Sequence, residues 1–232
     1  MAIRENVETD SGSSGSTQWN YQVGTPGNDR LYATAVSDAF IGGAGWDTVS
    51  YWYSTNAVQI YMNNVSANAL GAYGDTYSGI EVIDGSRFND TLVGDAGNNA
   101  FWGDDGNDYL AGGLGSDTLG GGSGFDTFAF SGALGASNVD TINDLDAAAG
   151  ETIYLSRDVF LNIRTHELGI FDNAFTKGTA ATSDTHRLIY NPSTGDLFYD
   201  PDGVGGAAQV KFAVLAKDLV ALSAQNFQMA WL

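Results

Sequence analysis

The sequence contains no cysteine, so it has neither a disulfide framework nor a thiolate metal site. Its three prolines exclude a collagen-like chain and a proline-rich linker. Basic side chains are also scarce, since 9 Lys and Arg stand against 28 Asp and Glu for a net charge of −19. Binding to nucleic-acid phosphates needs a basic surface, so nucleic acid is not an expected partner. No apolar run is long enough to predict a membrane-spanning helix.

Two residue types are unusually abundant in the 232 residues. Glycine occurs 31 times, and 23 of the 28 acidic residues are Asp rather than Glu. Glu suits helices, whereas Asp suits turns and metal sites. Because 43% of the residues are hydrophobic, the chain can still build a core. The composition predicts a turn-rich β protein with an affinity for cations.

A nine-residue repeat accounts for much of this composition. Three blocks span residues 24–50 (GTPGNDRLY, ATAVSDAFI, GGAGWDTVS), and five span 85–129 (GSRFNDTLV, GDAGNNAFW, GDDGNDYLA, GGLGSDTLG, GGSGFDTFA). Position 1 is Gly in seven of the eight blocks, position 4 is Gly in six, position 6 is Asp in seven, and position 8 is always apolar. One inward-facing residue in nine cannot bury itself alone, so such blocks must stack to form a core.

Stacking with two blocks in each coil predicts two thin parallel sheets joined by turns on both edges. Glycines at positions 1, 2 and 4 are expected to adopt positive φ in those turns. Residues 18 apart then lie on the same edge, about 4.8 Å from each other. The position-6 side chains form three predicted columns: Asp90–Asp108–Asp126, Asn99–Asp117 and Asp29–Asp47. Glu81 is a candidate for the head of the Asn99 column.

Bare carboxylates at this separation repel each other, whereas a Ca²⁺ ion bonded to oxygen at about 2.3–2.6 Å fits between two turns. The sequence therefore predicts several Ca²⁺ ions between successive turns. The alternative is that these Asp residues only cap their turns, but capping alone would tolerate Asn and Ser at position 6 far more often.

The blocks resemble the repeats-in-toxin (RTX) nonapeptide G-G-x-G-x-D-x-U-x, most closely in GGAGWDTVS, GGLGSDTLG and GGSGFDTFA. The resemblance implies a parallel β-roll in which position-6 side chains and turn carbonyls bind Ca²⁺. The implied ligands form four sets, in which the first turn contributes positions 1, 3 and 6 and the second contributes positions 2, 4 and 6. These sets are Gly24, Pro26 and Asp29 with Gly43, Gly45 and Asp47; Gly85, Arg87 and Asp90 with Asp104, Gly106 and Asp108; Gly103, Asp105 and Asp108 with Gly122, Gly124 and Asp126; and Gly94, Ala96 and Asn99 with Gly113, Gly115 and Asp117. Further candidates are Glu81, Asp140 and Asp38, although the block around Asp38 lacks all three glycines.

The expected fold is all-β: a parallel β-roll followed by a β-rich cap. Residues 1–23 are expected to be a flexible lead. The roll covers 24–129, with arrays at 24–50 and 76–129 joined by 51–75, and residues 130–232 form a C-terminal cap or secretion domain. By resemblance, the protein is secreted through a bacterial type I exporter, and the lead shows no secretory signal layout.

The biological task is open at this stage. One hypothesis is an extracellular binding or structural module for polysaccharide or a cell surface, with Trp46, Trp52 and Tyr53 as candidate ligand-binding aromatics; a role as core filler is the alternative for these rings. The rival hypothesis is the secretion and folding module of a larger enzyme, such as a metalloprotease, lipase or epimerase. The sequence contains neither H-E-x-x-H nor G-x-S-x-G, so we predict no catalytic residues.

Overall fold

The computed structural model describes residues 4–6, 20–167 and 169–232. These residues form short strands joined by turns, with three 3₁₀ helices at Val65–Ala67, Asp172–Ala174 and Ala224–Asn226. The strands before residue 130 are β1 Arg4–Asn6, β2 Asn20–Val23, β3 Arg30–Tyr32, β4 Asp38–Ile41, β5 Thr48–Ser50, β6 Val58–Tyr61, β7 Ala69–Leu70, β8 Thr76–Ser78, β9 Val82–Asp84, β10 Thr91–Val93, β11 Ala100–Trp102, β12 Tyr109–Ala111, β13 Thr118–Gly120 and β14 Thr127–Phe130. The later strands are β15 Asp140–Ile142, β16 Thr152–Ser156, β17 Thr165–His166, β18 Gly169–Ile170, β19 Phe175–Lys177, β20 Leu188–Tyr190, β21 Asp196–Tyr199, β22 Val210–Val214 and β23 Phe227–Ala230.

Three sheets contain these strands. Sheet 1 has the order β19-β20-β21-β22-β15-β13-β11-β9-β5-β3, sheet 2 has β17-β18-β23-β16-β14-β12-β10-β6-β7, and sheet 3 has β1-β2-β4-β8. Successive repeat strands alternate between sheet 1 and the other two sheets. The chain is therefore wound as a parallel β-roll, as the sequence predicts.

The register of the ladders confirms two blocks per coil. Leu92 pairs with Leu110 in sheet 2, and Phe101 pairs with Leu119 in sheet 1. Each of these pairs joins residues 18 apart at position 8 of the repeat. The position-8 side chains are buried, as expected for residues that face the interior of the roll. They belong to one hydrophobic core that continues into the C-terminal part of the chain.

The two repeat arrays form one continuous roll. Strand β5 of the first array pairs in parallel with β9, with Val49 opposite Ile83. On the opposite side, β4 pairs with β8, whereas β6 from the link pairs with β10. The linking segment therefore contributes its own strand to the roll, and sheet 1 continues without interruption past both arrays.

Residues 130–232 extend sheets 1 and 2. Strand β15 pairs with β13, and β16 pairs with β14, both in parallel. Antiparallel pairs then follow, including β20 with β21 and β21 with β22. The final strand β23 pairs with β16, and Phe227 and Met229 are buried there. The hydrophobic end of the sequence is therefore a core strand of sheet 2.

The expected lead is partly structured, which corrects its assignment. Residues 20–23 form β2, which pairs in parallel with β4 in the same 18-residue register as the repeats. Residues 4–6 form β1, which pairs with β2 in the antiparallel direction. The roll therefore begins before Gly24. The rest of the lead, 1–3 and 7–19, lies outside the described residues.

Candidate calcium sites

One edge of sheet 1 carries a continuous column of polar side chains. Five members directly precede a strand, and the sixth, Asp140, is the first residue of β15; the five are Asp29, Asp47, Glu81, Asn99 and Asp117. In five places, the backbone carbonyl of one member accepts a hydrogen bond of 2.7–3.0 Å. The donor is the backbone amide of the residue directly after the next member of the column. Two predicted columns are thus one, and Glu81 lies between Asp47 and Asn99.

Side chains in this column also bond to the preceding coil. The amide of Asp29 donates to Oδ1 of Asp47 at 2.8 Å, and the amide of Asn99 donates to Oδ1 of Asp117 at 2.7 Å. The amide of Asp117 donates to Oδ1 of Asp140 at 3.0 Å. Each carboxylate therefore uses one oxygen to hold the coil before it.

The same arrangement occurs at the edge of sheet 2. The amide of Asp90 donates to Oδ1 of Asp108 at 2.7 Å, and the amide of Asp108 donates to Oδ1 of Asp126 at 2.8 Å. The structure thus brings together the three residues of the predicted Asp90 column. The amide of Val58 in the linking strand donates to Oδ1 of Asp90 at 2.7 Å, so the link closes this column at its N-terminal end.

Four carboxylates lie in turns that come after the first turn of their column, and we call these the inner turns. Each of the four has a second oxygen that is buried and accepts no hydrogen bond. These atoms are Oδ2 of Asp47, Asp108, Asp117 and Asp126. A buried carboxylate oxygen without a donor is unfavourable unless a cation or proton compensates it. Ca²⁺ prefers oxygen ligands, so the donor set of these turns fits that ion. Capping alone does not explain an oxygen that caps nothing.

The turns match a known family. The model of the RTX calcium-binding nonapeptide repeat matches in four copies, within residues 23–51, 75–110 and 99–128. The chain carries RTX calcium-binding repeats. No curated protein matches the chain.

Glycines of the RTX turns have two separate roles, which corrects the expectation of positive φ at all three positions. Glycines at positions 2 and 4 of the inner turns have positive φ, as in Gly113 (+101°) and Gly115 (+113°). Position-1 glycines do not, but they leave space for the position-6 carboxylate. A β-carbon at Gly85 would lie 2.6 Å from Oδ2 of Asp90. At Gly103 it would overlap Oδ2 of Asp108.

The first turn of each array differs from the inner turns. Asp29 Oδ2 accepts the amide and hydroxyl of Thr25 at 2.5 and 2.8 Å. These bonds lower the pKa of Asp29. Asp90 accepts the amide and hydroxyl of Ser86 at 2.5 and 2.7 Å in the same way. In these first turns, a hydroxyl residue at position 2 therefore donates to the carboxylate. The four inner turns have glycine or Asp104 at position 2, and one oxygen of their carboxylate stays unpaired.

Burial has the opposite effect in the inner turns. It raises the pKa of Asp108 to about 8, with neighbouring Asp90, Asp126 and Asp104 adding to the rise. The pKa of Asp117 is raised to about 6 and that of Asp140 to about 7, again chiefly by burial. Such carboxylates favour a proton or a metal ion over the free ionised state.

Asp38 occupies a different environment from the other candidate ligands. Its oxygens accept hydrogen bonds from Asn20 Nδ2 (2.7 Å), Gln22 Nε2 (3.2 Å) and the amide (2.7 Å) and hydroxyl of Thr34. Its own amide donates to Oδ1 of Asp75 at 2.7 Å. The geometry of Asp38 therefore favours turn capping, which agrees with the absence of glycine from its block.

Three more acidic residues lie near the columns, and sequence reasoning missed two of them, Asp75 and Glu151. Asp75 continues the Asp38 edge, and its Oδ2 accepts the hydroxyl of the fully buried Tyr51 at 2.6 Å. Glu151 directly precedes β16 and so follows Asp126 in the ladder, where the Thr152 amide bonds the Asp126 carbonyl at 3.0 Å. Asp144 accepts the amides of Gly121 and Gly122 at 2.9 and 3.0 Å and so caps the last repeat turn. None of the three occupies position 6 of a recognisable nonapeptide.

Backbone contacts between turns involve the residues that the RTX resemblance nominates. The Asp104 carbonyl accepts the amide of Ser123 at 2.7 Å, and the Gly106 amide donates to the Ser123 carbonyl at 2.9 Å. A β-carbon at Gly106 would lie 2.6 Å from the carbonyl oxygen of Phe88. Successive turns are thus packed backbone to backbone.

Within the described ranges, no cluster of three or more His, Cys, Asp or Glu side chains is arranged to hold a metal. Each repeat turn contributes a single position-6 side chain to its column, so a complete Ca²⁺ shell requires backbone carbonyls. In the same part of the chain, no helix has the length and apolarity to cross a membrane.

Proposed function

We propose that this is a secreted calcium-binding protein that completes its folding on Ca²⁺ outside the cell and serves there as a binding or structural module. The observation that carries the proposal is the set of four buried, unpaired carboxylate oxygens in repeats of a calcium-binding family. RTX repeats are generally non-catalytic, which also favours a binding or structural role over an enzyme.

The proposed sites lie between successive turns of each column. The side-chain pairs are Asp29 with Asp47, Asp90 with Asp108, Asp108 with Asp126, and Asn99 with Asp117, each joined by an amide-to-carboxylate bond across 18 residues. We assign the carbonyls named in the sequence analysis to the same four sites. Glu81 and Asp140 extend the first column and are candidates for two further sites. Asp38 is the least favoured candidate because its block lacks the turn glycines and because protein donors already occupy its oxygens.

Folding and calcium binding are coupled through the charge of the chain. A net charge of −19 opposes compaction, and the inner turns also remove carboxylates from water. Bound Ca²⁺ supplies the compensating positive charge. Because only the wound chain brings two turns together, ligand binding favours the folded state by mass action. Low calcium inside a cell then keeps the chain unfolded, and millimolar calcium outside stabilises it.

Secretion is the second part of the proposal. RTX repeat proteins are typically secreted by type I systems. We propose the same route here, with residues 130–232 engaging the exporter and polysaccharide or a cell surface as the extracellular partner. A chain that threads an exporter must stay unfolded, which is the state expected at cytoplasmic calcium.

A calcium titration of chelator-treated protein, monitored by far-UV circular dichroism, tests the proposal. We expect a cooperative gain of strand signal with Ca²⁺ and little gain with the same concentration of Mg²⁺, because Mg²⁺ sheds its water reluctantly and demands tighter octahedral geometry. Equal strand content with and without calcium would refute the proposal.

A further inference from the structure

The outer face of sheet 1 carries a row of side chains at the junction of the two arrays. Its members are cross-strand neighbours on five successive strands: Tyr32, Ser50, Asp84, Trp102 and Gly120. Neighbouring strands are about 4.8 Å apart, so the row is a flat strip of regular spacing. Tyr32 and Trp102 keep exposed surface along this row, whereas Ser50 and Asp84 between them are buried.

The aromatic rings on and beside this strip contact neighbouring groups of the protein. Trp102 packs flat against Gly120, where a β-carbon would overlap Cε3 of the indole. Trp52 has the Arg87 guanidinium over its ring at 4.3 Å from the centroid. Tyr32 and Tyr53 form a tilted pair with centroids 5.9 Å apart. Tyr53 remains 74% exposed and Trp102 37% exposed, so these rings retain accessible surface.

Three adjoining depressions follow this strip. The central one, of about 460 Å³, lies among Tyr32, Trp52, Tyr53, Trp102 and the polar residues between them. It shares Arg30 with a depression of about 750 Å³ beside Trp46. It shares Tyr53 with another of about 530 Å³ that reaches Tyr73. The shared residues make the three depressions a track, which fits a linear polymer better than a single small molecule.

Polar groups in the central depression are anionic or already neutralised. Arg30 forms an ion pair with Asp84 and donates to the Ser50 hydroxyl at 3.3 Å. Asp104 also lines the depression. Carboxylates accept hydrogen bonds from hydroxyl groups, whereas they repel a polyanion. The depression therefore selects for neutral ligands rich in hydroxyl groups.

We propose that this track binds a neutral glycan chain, with sugar rings stacked on Trp102 and Tyr53 and sugar hydroxyls bonded to Asp104 and Arg30. A flat apolar ring beside a few fixed polar groups is the usual composition of a specific binding site. The inference rests on the proposed function, because it names the ligand class and the surface of the binding module. It assigns Trp46, Trp52 and Tyr53 to one surface with Tyr32 and Trp102.

Isothermal titration calorimetry in millimolar Ca²⁺ tests the track. The probes are cellohexaose, laminarihexaose and maltohexaose as neutral chains, the matching disaccharides, and alginate as a polyanion. We expect at least one neutral hexasaccharide to bind, its disaccharide to bind more weakly, and alginate not to bind. Trp102→Ala and Tyr53→Ala should each weaken hexasaccharide binding about tenfold, the upper end expected for one stacked ring. Trp231→Ala is the control, because Trp231 is 76% exposed outside the track.

Circular dichroism on the same samples separates this inference from the proposed function. A protein that folds with calcium but binds no neutral hexasaccharide would overturn the glycan track and leave calcium-dependent folding intact. Binding that survives both track variants, or a preference for alginate, would also overturn it. Failure to fold with calcium would refute the proposed function instead. Tyr53→Ala keeps the test informative if Trp102→Ala misfolds, since the Tyr53 side chain is largely exposed.

Discussion

The backbone amide of Asp47 donates a hydrogen bond of 2.9 Å to Oε2 of Glu81, 34 residues later. This bond joins the last turn of the first array to the turn that opens the second. Because Glu81 also precedes Asn99 in the ladder, the junction continues the column without a break. The two arrays should therefore respond to calcium as one cooperative unit.

Substitutions of Glu81 test the junction. Glu81→Ala leaves the Asp47 amide without its acceptor and should cost about 1–3 kcal/mol of unfolding free energy in saturating calcium. Glu81→Gln keeps an acceptor oxygen and should stay close to wild type in the same urea titration. If Glu81 also binds calcium, Glu81→Gln will need more calcium to fold. Equal destabilisation by both variants would contradict a role for the hydrogen bond.

Asp108→Asn should have effects of opposite sign with and without calcium. Asp108 bonds both neighbouring turns and keeps one oxygen unpaired. Removing its charge should raise the midpoint of the calcium titration about tenfold or more, since ligand charge sets Ca²⁺ affinity. In chelator at pH 8, the variant should hold at least as much strand signal as wild type, because the uncompensated buried charge of Asp108 is removed.

The control for this pair of measurements is Asp105→Asn, which alters an exposed side chain in the same turn. It should leave the calcium midpoint nearly unchanged, because only the backbone carbonyl of Asp105 is proposed as a ligand. A shift as large as that of Asp108→Asn would mean that net charge, rather than the inner oxygen, governs the response.

Gly103→Ala tests the space beside the turn carboxylate. The added β-carbon would overlap Oδ2 of Asp108 and lie 2.5 Å from the Gly121 carbonyl oxygen. Overpacking of this kind should lower the unfolding free energy by about 1–3 kcal/mol, measured by urea denaturation in calcium. Gly135→Ala is the matched control, because no heavy atom lies within 4 Å of its added β-carbon. Similar stabilities for the two variants would count against the steric role of position 1.

Asp75 gives a pH dependence that is independent of the inner turns. Burial raises its pKa to about 7, although bonds from Tyr51 and the Asp38 amide partly oppose the shift. A carboxyl with a raised folded pKa stabilises the protein at low pH, and this contribution is lost as pH rises through about 7. In urea titrations with calcium, Asp75→Asn should therefore gain stability relative to wild type between pH 5.5 and 8.5.

Tyr51, Tyr77 and Asp38 are the titratable groups that surround Asp75. Burial raises the pKa of both tyrosines well above the usual value, so they stay neutral across this pH range. A constant stability difference between Asp75→Asn and wild type would show that the carboxyl does not titrate there. Asp105→Asn again serves as the exposed control.

Sequence periodicity predicted the roll well because each block has the same length. The 18-residue register, the inward position-8 residues and the Asp90–Asp108–Asp126 column all follow from counting. These features depend on local pattern alone.

The sequence nominates Glu81 and Asp140 as candidate ligands, but it does not predict the contacts that join them to Asp47 and Asp117. Asp47 and Glu81 are 34 residues apart and Asp117 and Asp140 are 23 apart, so no fixed period relates them. Strand β6 enters sheet 2 from a segment without the motif. The role of the position-1 glycines was missed because a sequence shows which residue lacks a β-carbon, but not which atom occupies the space.

The direction of the ladders has a mechanical consequence. Strands lie across the roll, so the hydrogen bonds between coils run along its length, and each coil contacts mainly its two neighbours. Tension along the roll would pull parallel to these hydrogen bonds, so the coils would separate one after another. An ion shared by two turns would resist that peeling, so the calcium concentration would set the force at which the roll extends.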